Sequence, residues 1–165
     1  MKKILITGAG SYIGTSFENY INTNFPDEYT VDTVDMIGGG WKEKDFSPYD
    51  AVFHVAGIAH QKENEKNEHL YYEVNRDLAI ETAKKSIEDG VKQFVFLSSM
   101  SVYGLNEGVI TKDTTPYPKN NYGKSKLQAE ELLKELTKNK IRLVILRPPM
   151  VYGENCRGNY QALRK

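Results

Sequence analysis

Apolar residues fall along this chain in two rhythms. Short runs rich in Val, Ile, Leu and Phe recur at KILIT (3–7), YTVDTVD (29–35), DAVFHVAG (50–57), KQFVFLSS (92–99) and IRLVILRP (141–148). Each has the length of a strand, and near-continuous apolar runs mark strands buried on both faces of a parallel sheet. WKEKDF (41–46) is a weaker pattern, read as a further strand. Between the runs, apolar positions three and four apart predict helices over about Ile13–Asn22, Glu68–Glu88 and Tyr122–Lys138. Leu70, Val74, Leu78, Ala79, Thr82 and Ala83 mark the second; Leu127, Leu132, Leu133 and Leu136 mark the third. Gly90 is the stop signal of the long helix. Strand and helix alternate, so the pattern predicts an α/β domain, a parallel sheet with helices on both faces.

Composition sharpens this only in places. With 165 residues, 39% of them hydrophobic, the chain can bury one core, and a single domain over 1–165 is expected. Lys plus Arg and Asp plus Glu number 22 each, so the charge balance points to no nucleic acid and no anionic membrane. The single cysteine, Cys156, excludes an internal disulfide and fits a reducing compartment. Only Ile4, Leu5 and Ile6 precede Thr7 and Gly8, too short a run for a secretory signal, and a cytoplasmic protein is expected. The charged stretch HQKENEKNEH (60–69) reads as a solvated loop and helix start. No metal is expected.

The first strand runs into a glycine loop, ILITGAGSYIGTSF, with Gly8, Gly10 and Gly14 in the turn and first helical turn. Small residues there let a phosphate reach the helix amino terminus, where free N–H groups and the helix dipole hold it. Asp35 ends the second strand, 21 residues after Gly14. That is the position of the acid that bonds the adenosine ribose in a Rossmann-type doubly wound sheet. Met36 and Ile37 follow it, so no arginine is at hand for a 2′-phosphate, and NAD is expected over NADP.

Five ordered segments, TGAGSYIG (7–14), VFHVAG (52–57), FLSSMSVYG (96–104), NNYGKSK (120–126) and LRPPMVYG (146–153), make the chain similar to the extended short-chain dehydrogenase/reductase family of nucleotide-sugar epimerases and dehydratases. The resemblance covers about residues 2–158. It implies a cofactor cradle of Gly8, Gly10, Ser11, Tyr12, Ile13 and Gly14, continued by Asp35, Ala56, Gly57 and Pro148. Asp45 would bond the adenine amine and Lys126 the nicotinamide ribose. It implies His54 packed beneath the cofactor and Asn75 tying the long helix to its neighbours. Pro149, Tyr152 and Asn155 would border substrate. It also implies a homodimer paired through the helices around 68–88 and 122–138.

The residues carry the chemistry on their own terms as well. Tyr122 and Lys126, four apart, share one helical face. A phenol titrates near pH 10 (about the ordinary value), and a neighbouring ammonium together with a positively charged nicotinamide is expected to lower that. Tyr122 then takes a substrate hydroxyl proton as general base. Ser99, at the carboxyl end of its strand, can bond the same oxygen; Ser98 and Ser101 stand close by.

Three features separate this chain from the family pattern. Ser11 replaces a loop glycine, and a hydroxyl contact to phosphate is expected there. Met100 and Ser101 replace the Asp-Glu pair of the dehydratases, which leaves epimerisation or simple redox. The family's smaller substrate lobe would lie beyond residue 165, so an amino-terminal portion with weak or no activity of its own and an open sheet edge are expected. The function implied is an NAD-dependent nucleotide-sugar 4-epimerase of the UDP-glucose type. A sugar reductase or dehydrogenase of the same family, and a non-catalytic dinucleotide sensor, are the alternatives.

Overall fold

A computed structural model describes residues 1–59, 67–105, 107–154 and 156. Strand β1 (Lys2–Thr7) leads into helix α1 (Tyr12–Asn24), then β2 (Tyr29–Val34) and β3 (Ala51–His54). The long helical region follows as α2 (Glu68–Tyr72) and α3 (Leu78–Glu88), then β4 (Gln93–Leu97), α4 (Asn121–Thr137) and β5 (Arg142–Leu146). The five strands form one sheet in the order β2-β1-β3-β4-β5. Every pair is parallel, with Thr7 opposite both Val34 and His54, and Leu97 opposite Leu146. The doubly wound sheet expected from the apolar runs is therefore present. The chain leaves β1 on one side to form β2 and returns on the other to form β3. That reversal opens a crevice at the carboxyl ends of β1 and β3.

Alternation along each strand sorts the core into two layers. Leu5, Val52, Phe94 and Phe96 pack with Ala79 and Ala83 of α3 and Ala129 and Leu133 of α4. Ile6, Val31, Phe53 and Val55 face the other way, against Ile13, Phe17 and Ile21 of α1. β5 is an edge strand, and its last residue, Leu146, is 42% exposed.

Two expectations change. Residues 41–46 form no strand; Ile37–Glu43 make 3₁₀ turns, broken by Gly38 and Gly39 at φ +73° and +78°. Trp41 and Phe46 are an odd number of residues apart, so a strand would send them to opposite faces, yet both are buried in one cluster. A turning chain satisfies both. The helix over 68–88 is also not continuous, because Glu73–Asp77 form a π turn that carries the buried Asn75. Its end is as expected: Gly90 is at φ +77°, and Val91 N donates to Ser86 O (2.9 Å) while Gly90 N donates to Ile87 O (3.1 Å).

Candidate active site

The carboxyl ends of β1, β3 and β4 bring the glycine loop, Ala56–Gly57 and Ser99 to one edge of the sheet, and α4 begins there. Gly8 sits at φ +104°, a conformation costly for other residues, and a Cβ on it would lie 3.0 Å from the Ala56 backbone nitrogen. The two strand ends are thus packed together at the crevice. Gly10, at φ +73°, has open space where a Cβ would stand. Tyr12 and Ile13 start α1, so their N–H groups have no acceptor within the helix. Ser11 proves to be the helix cap: its hydroxyl accepts from Gly14 N at 3.2 Å. The serine that the motif showed as a lost glycine therefore organises the turn.

Asp35 is exposed just past β2, with Oδ1 accepting from Ile37 N at 3.0 Å. Asp45 is not brought to this group. It is exposed, accepts from Ser47 N and feels Lys85, and the next residue, Phe46, donates to Asp89. Lys85 and Asp89 lie at the carboxyl end of α3, which is the amino edge of the sheet. Its expected place rested on the family resemblance, and here the turns over Ile37–Glu43 carry the chain down to the opposite edge. Asn155 lies outside the described residues. Tyr152 is exposed, and the Pro148 carbonyl accepts from Met100 N (3.1 Å), tying the loop after β5 to the Ser99 turn.

Asn120 caps α4, accepting from Gly123 N at 2.8 Å, and this sets Tyr122 and Lys126 on the first two turns. Ser99 caps the short 3₁₀ turn Met100–Tyr103, and its hydroxyl also bonds the Tyr122 phenol. Burial pushes the Tyr122 phenol up from its ordinary value, and the Ser99 bond opposes this. The expectation that Lys126 lowers it is not met in this structure. The Lys126 ammonium, only 4% exposed, donates instead to Leu97 O at 2.8 Å and lies 4.8 Å from the Phe96 ring centre. Burial brings Lys126 down to about 8, while Glu130 raises it. The three residues expected to act together are thus gathered, with burial holding the phenol toward its neutral form.

Supporting residues complete the picture. Asn75 is buried; it accepts from Ile58 N (2.9 Å) and donates to Ile58 O (3.0 Å) and Ser125 Oγ (3.3 Å). It ties the long helix to the end of β3 and to α4, as expected. His54 is fully buried between Phe94 and Phe96, with Nδ1 2.7 Å from Thr7 Oγ1. Burial, helped by Lys126, holds it down at about 3, so it is neutral. A buried set went unread in the sequence: Ser98 and Arg147 both bond Glu130. The signal was available, since Glu130 follows Lys126 by four residues, as Lys126 follows Tyr122. Among the described residues no group of His, Cys, Asp and Glu could hold a metal, and no helix is long and apolar enough to cross a membrane.

The model of the family described as "NAD dependent epimerase/dehydratase family" matches residues 4–165. A UDP-glucose 4-epimerase of Vibrio cholerae is 32% identical over 99% of this chain and 56% of its own length. The chain thus spans about half the length of the curated relatives it matches. The UDP-glucuronic acid 4-epimerase of Bacillus cereus, solved with NAD, superposes with TM-score 0.78 at 27% identity, over 92% of this chain and 58% of the other. The dTDP-4-dehydrorhamnose reductase of Bacillus anthracis str. Ames, solved with NADP, gives TM-score 0.78 at 26% identity, over 99% and 59%.

Proposed function

This chain belongs to the NAD dependent epimerase/dehydratase family, and on that premise we propose that it binds NAD and serves a nucleotide-sugar 4-epimerase. The observation that carries the reading is the meeting of Ser99, Tyr122 and Lys126 at the carboxyl edge of the sheet, past β4 and beside Gly57. The residues present fit a dinucleotide. Gly10 leaves room at the start of α1, whose first N–H groups lack helical acceptors, and Asp35 is exposed at the end of β2 for a ribose. NAD, when bound, supplies a hydride acceptor that can return the hydride.

The chain's own residues move the proton. Tyr122 as phenolate takes the hydroxyl proton of the substrate and later returns it. Ser99 holds the same oxygen by a hydrogen bond. Lys126, beneath them, and the positive nicotinamide of bound NAD would together supply the cationic surroundings that favour the phenolate. Burial alone works against ionisation of Tyr122, so the acid–base role requires cationic surroundings. Met100 and Ser101 offer no second acid–base pair for water elimination, which favours epimerisation over dehydration.

A cytoplasmic location, in keeping with one cysteine in 165 residues, and a homodimer paired through α2–α3 and α4 belong to the same reading. A sugar reductase is the second reading, because a reductase is among the neighbours of like fold. The two separate on redox balance. Incubated with NAD and UDP-glucose or UDP-galactose, an epimerase interconverts the sugars with no net absorbance change at about 340 nm, whereas a dehydrogenase releases NADH stoichiometrically, and a reductase consumes NADH only when given it with a keto sugar. Tyr122→Phe is expected to cut turnover by about 10²–10⁴ with NAD binding retained. Calorimetry showing no NAD binding by the folded protein, or full turnover in Tyr122→Phe, rejects the proposal.

A further inference from the structure

Behind the Ser99–Tyr122–Lys126 group lies a buried charge that the proton transfer does not use. Tyr122, Lys126 and Glu130 recur at four-residue spacing on one face of α4. They meet three consecutive positions at the end of β4. The Ser99 hydroxyl bonds Tyr122, the Leu97 carbonyl accepts from Lys126, and the Ser98 hydroxyl donates to Glu130. Helix and strand end are thus held in one axial register by three contacts.

Glu130 is 0% exposed. A carboxylate is costly in such a place unless charged partners surround it. Arg147, just past β5, answers it: Nε donates to both carboxylate oxygens (2.9 and 3.2 Å), and Nη2 bonds Oε2. Nη1 of the same arginine donates to the Tyr103 hydroxyl at 2.6 Å. The arginine and the serine fix the carboxylate from opposite elements, so its charge cannot drift toward solvent.

Lys126 needs that charge. The groups facing it are the neutral His54 of β3, the neutral Asn75 of the π turn, the Phe96 ring and the Leu97 carbonyl, with Tyr122 one turn before it on α4. Arg147 lies beyond Glu130 and is cationic. Glu130 is the anion among these groups, and its field supports the ammonium against burial.

We propose that Glu130 is a positioning residue: clamped by Ser98 and Arg147, it stations a negative charge one turn behind Lys126 and keeps that lysine an ammonium while Tyr122 ionises. The link to catalysis rests on the acid–base reading above. The charge state of Lys126 does not, and it can be read without substrate or cofactor.

The test is a pH titration of the lysine ε-carbon resonances in the full chain labelled with ¹³C-lysine. The Lys126 signal is identified by its loss in Lys126→Met. Glu130→Gln keeps the shape and removes the charge; the Lys126 midpoint is expected to fall by about one pH unit or more. Glu130→Asp keeps the charge and leaves the midpoint within about 0.3 pH unit. Arg147→Gln removes the clamp, so the buried carboxylate takes up a proton and the Lys126 midpoint falls here too. Because the titration is read on the unliganded protein, a chain with no epimerase activity returns the same answer. A Glu130→Gln midpoint equal to the parent's, with native circular dichroism, overturns the proposal. If that variant does not fold, Arg147→Gln decides: a midpoint that stays put or rises overturns it.

Discussion

Acid should weaken this fold through one imidazole well before it reaches the carboxylates. His54 is fully buried, its Nδ1 engaged with Thr7, and its Nε2 has no hydrogen-bond partner among the described residues. Burial and the neighbouring Lys126 hold it at about 3 in the folded chain against 6.5 as the ordinary value. The sign follows from proton counting. Between those values the unfolded chain binds a proton that the folded chain refuses, so stability is complete above about pH 6.5 and falls as pH drops toward 3. At pH 5 the unfolded histidine is about 1.5 pH units below its midpoint, which at about 1.36 kcal/mol each makes a loss of roughly 2 kcal/mol from pH 7.

The comparison protein is His54→Leu, of similar volume. It forfeits the Thr7 bond, about 1 kcal/mol at any pH, but has no proton to take up. Urea unfolding is followed through Trp41, the single tryptophan, which is 3% exposed. With a denaturant slope of roughly 2 kcal/mol per molar, the parent midpoint should drop by about 1 M between pH 7 and pH 5, and the variant's by clearly less. Equal drops in both proteins would refute the reasoning, because the other histidines and the carboxylates are common to the two.

Two further outcomes can be measured on the same protein. Gly57→Ala would put a Cβ 2.8 Å from Asn75 Oδ1 and 3.2 Å from Lys126 Nζ, so it should cost about 1–3 kcal/mol of stability; an unchanged urea midpoint contradicts the packing described. Asp35→Asn keeps the turn to Ile37 but removes the charge offered to a ribose; calorimetry should show NAD affinity weakened about tenfold, and an unchanged Kd removes Asp35 from the cofactor site.

Much of the site was legible because it is local in sequence. The glycine loop, the acid after β2 and the Tyr122–Lys126 spacing each depend on one turn or one helix face, which fixed backbone periods dictate. Ser11 was visible as a loop residue but its part as the helix cap was not, since a cap is defined by where its hydroxyl points. The position of Asp45 near Lys85 was not legible, because it follows from turns that bury Trp41 and Phe46 in one cluster.

The amino-acid sequence by itself determined the parallel sheet, the crevice beside β1 and the residues that meet there. Their origin is apolar periodicity and short-range spacing, which act through the backbone alone. Only the tertiary structure decided the electrostatics. Whether Tyr122 titrates up or down, whether His54 stays neutral, and how Glu130 finds Arg147 and Ser98 all depend on elements far apart in the chain. Desolvation and charge pairing are properties of the packed interior, and no local pattern in the sequence encodes them.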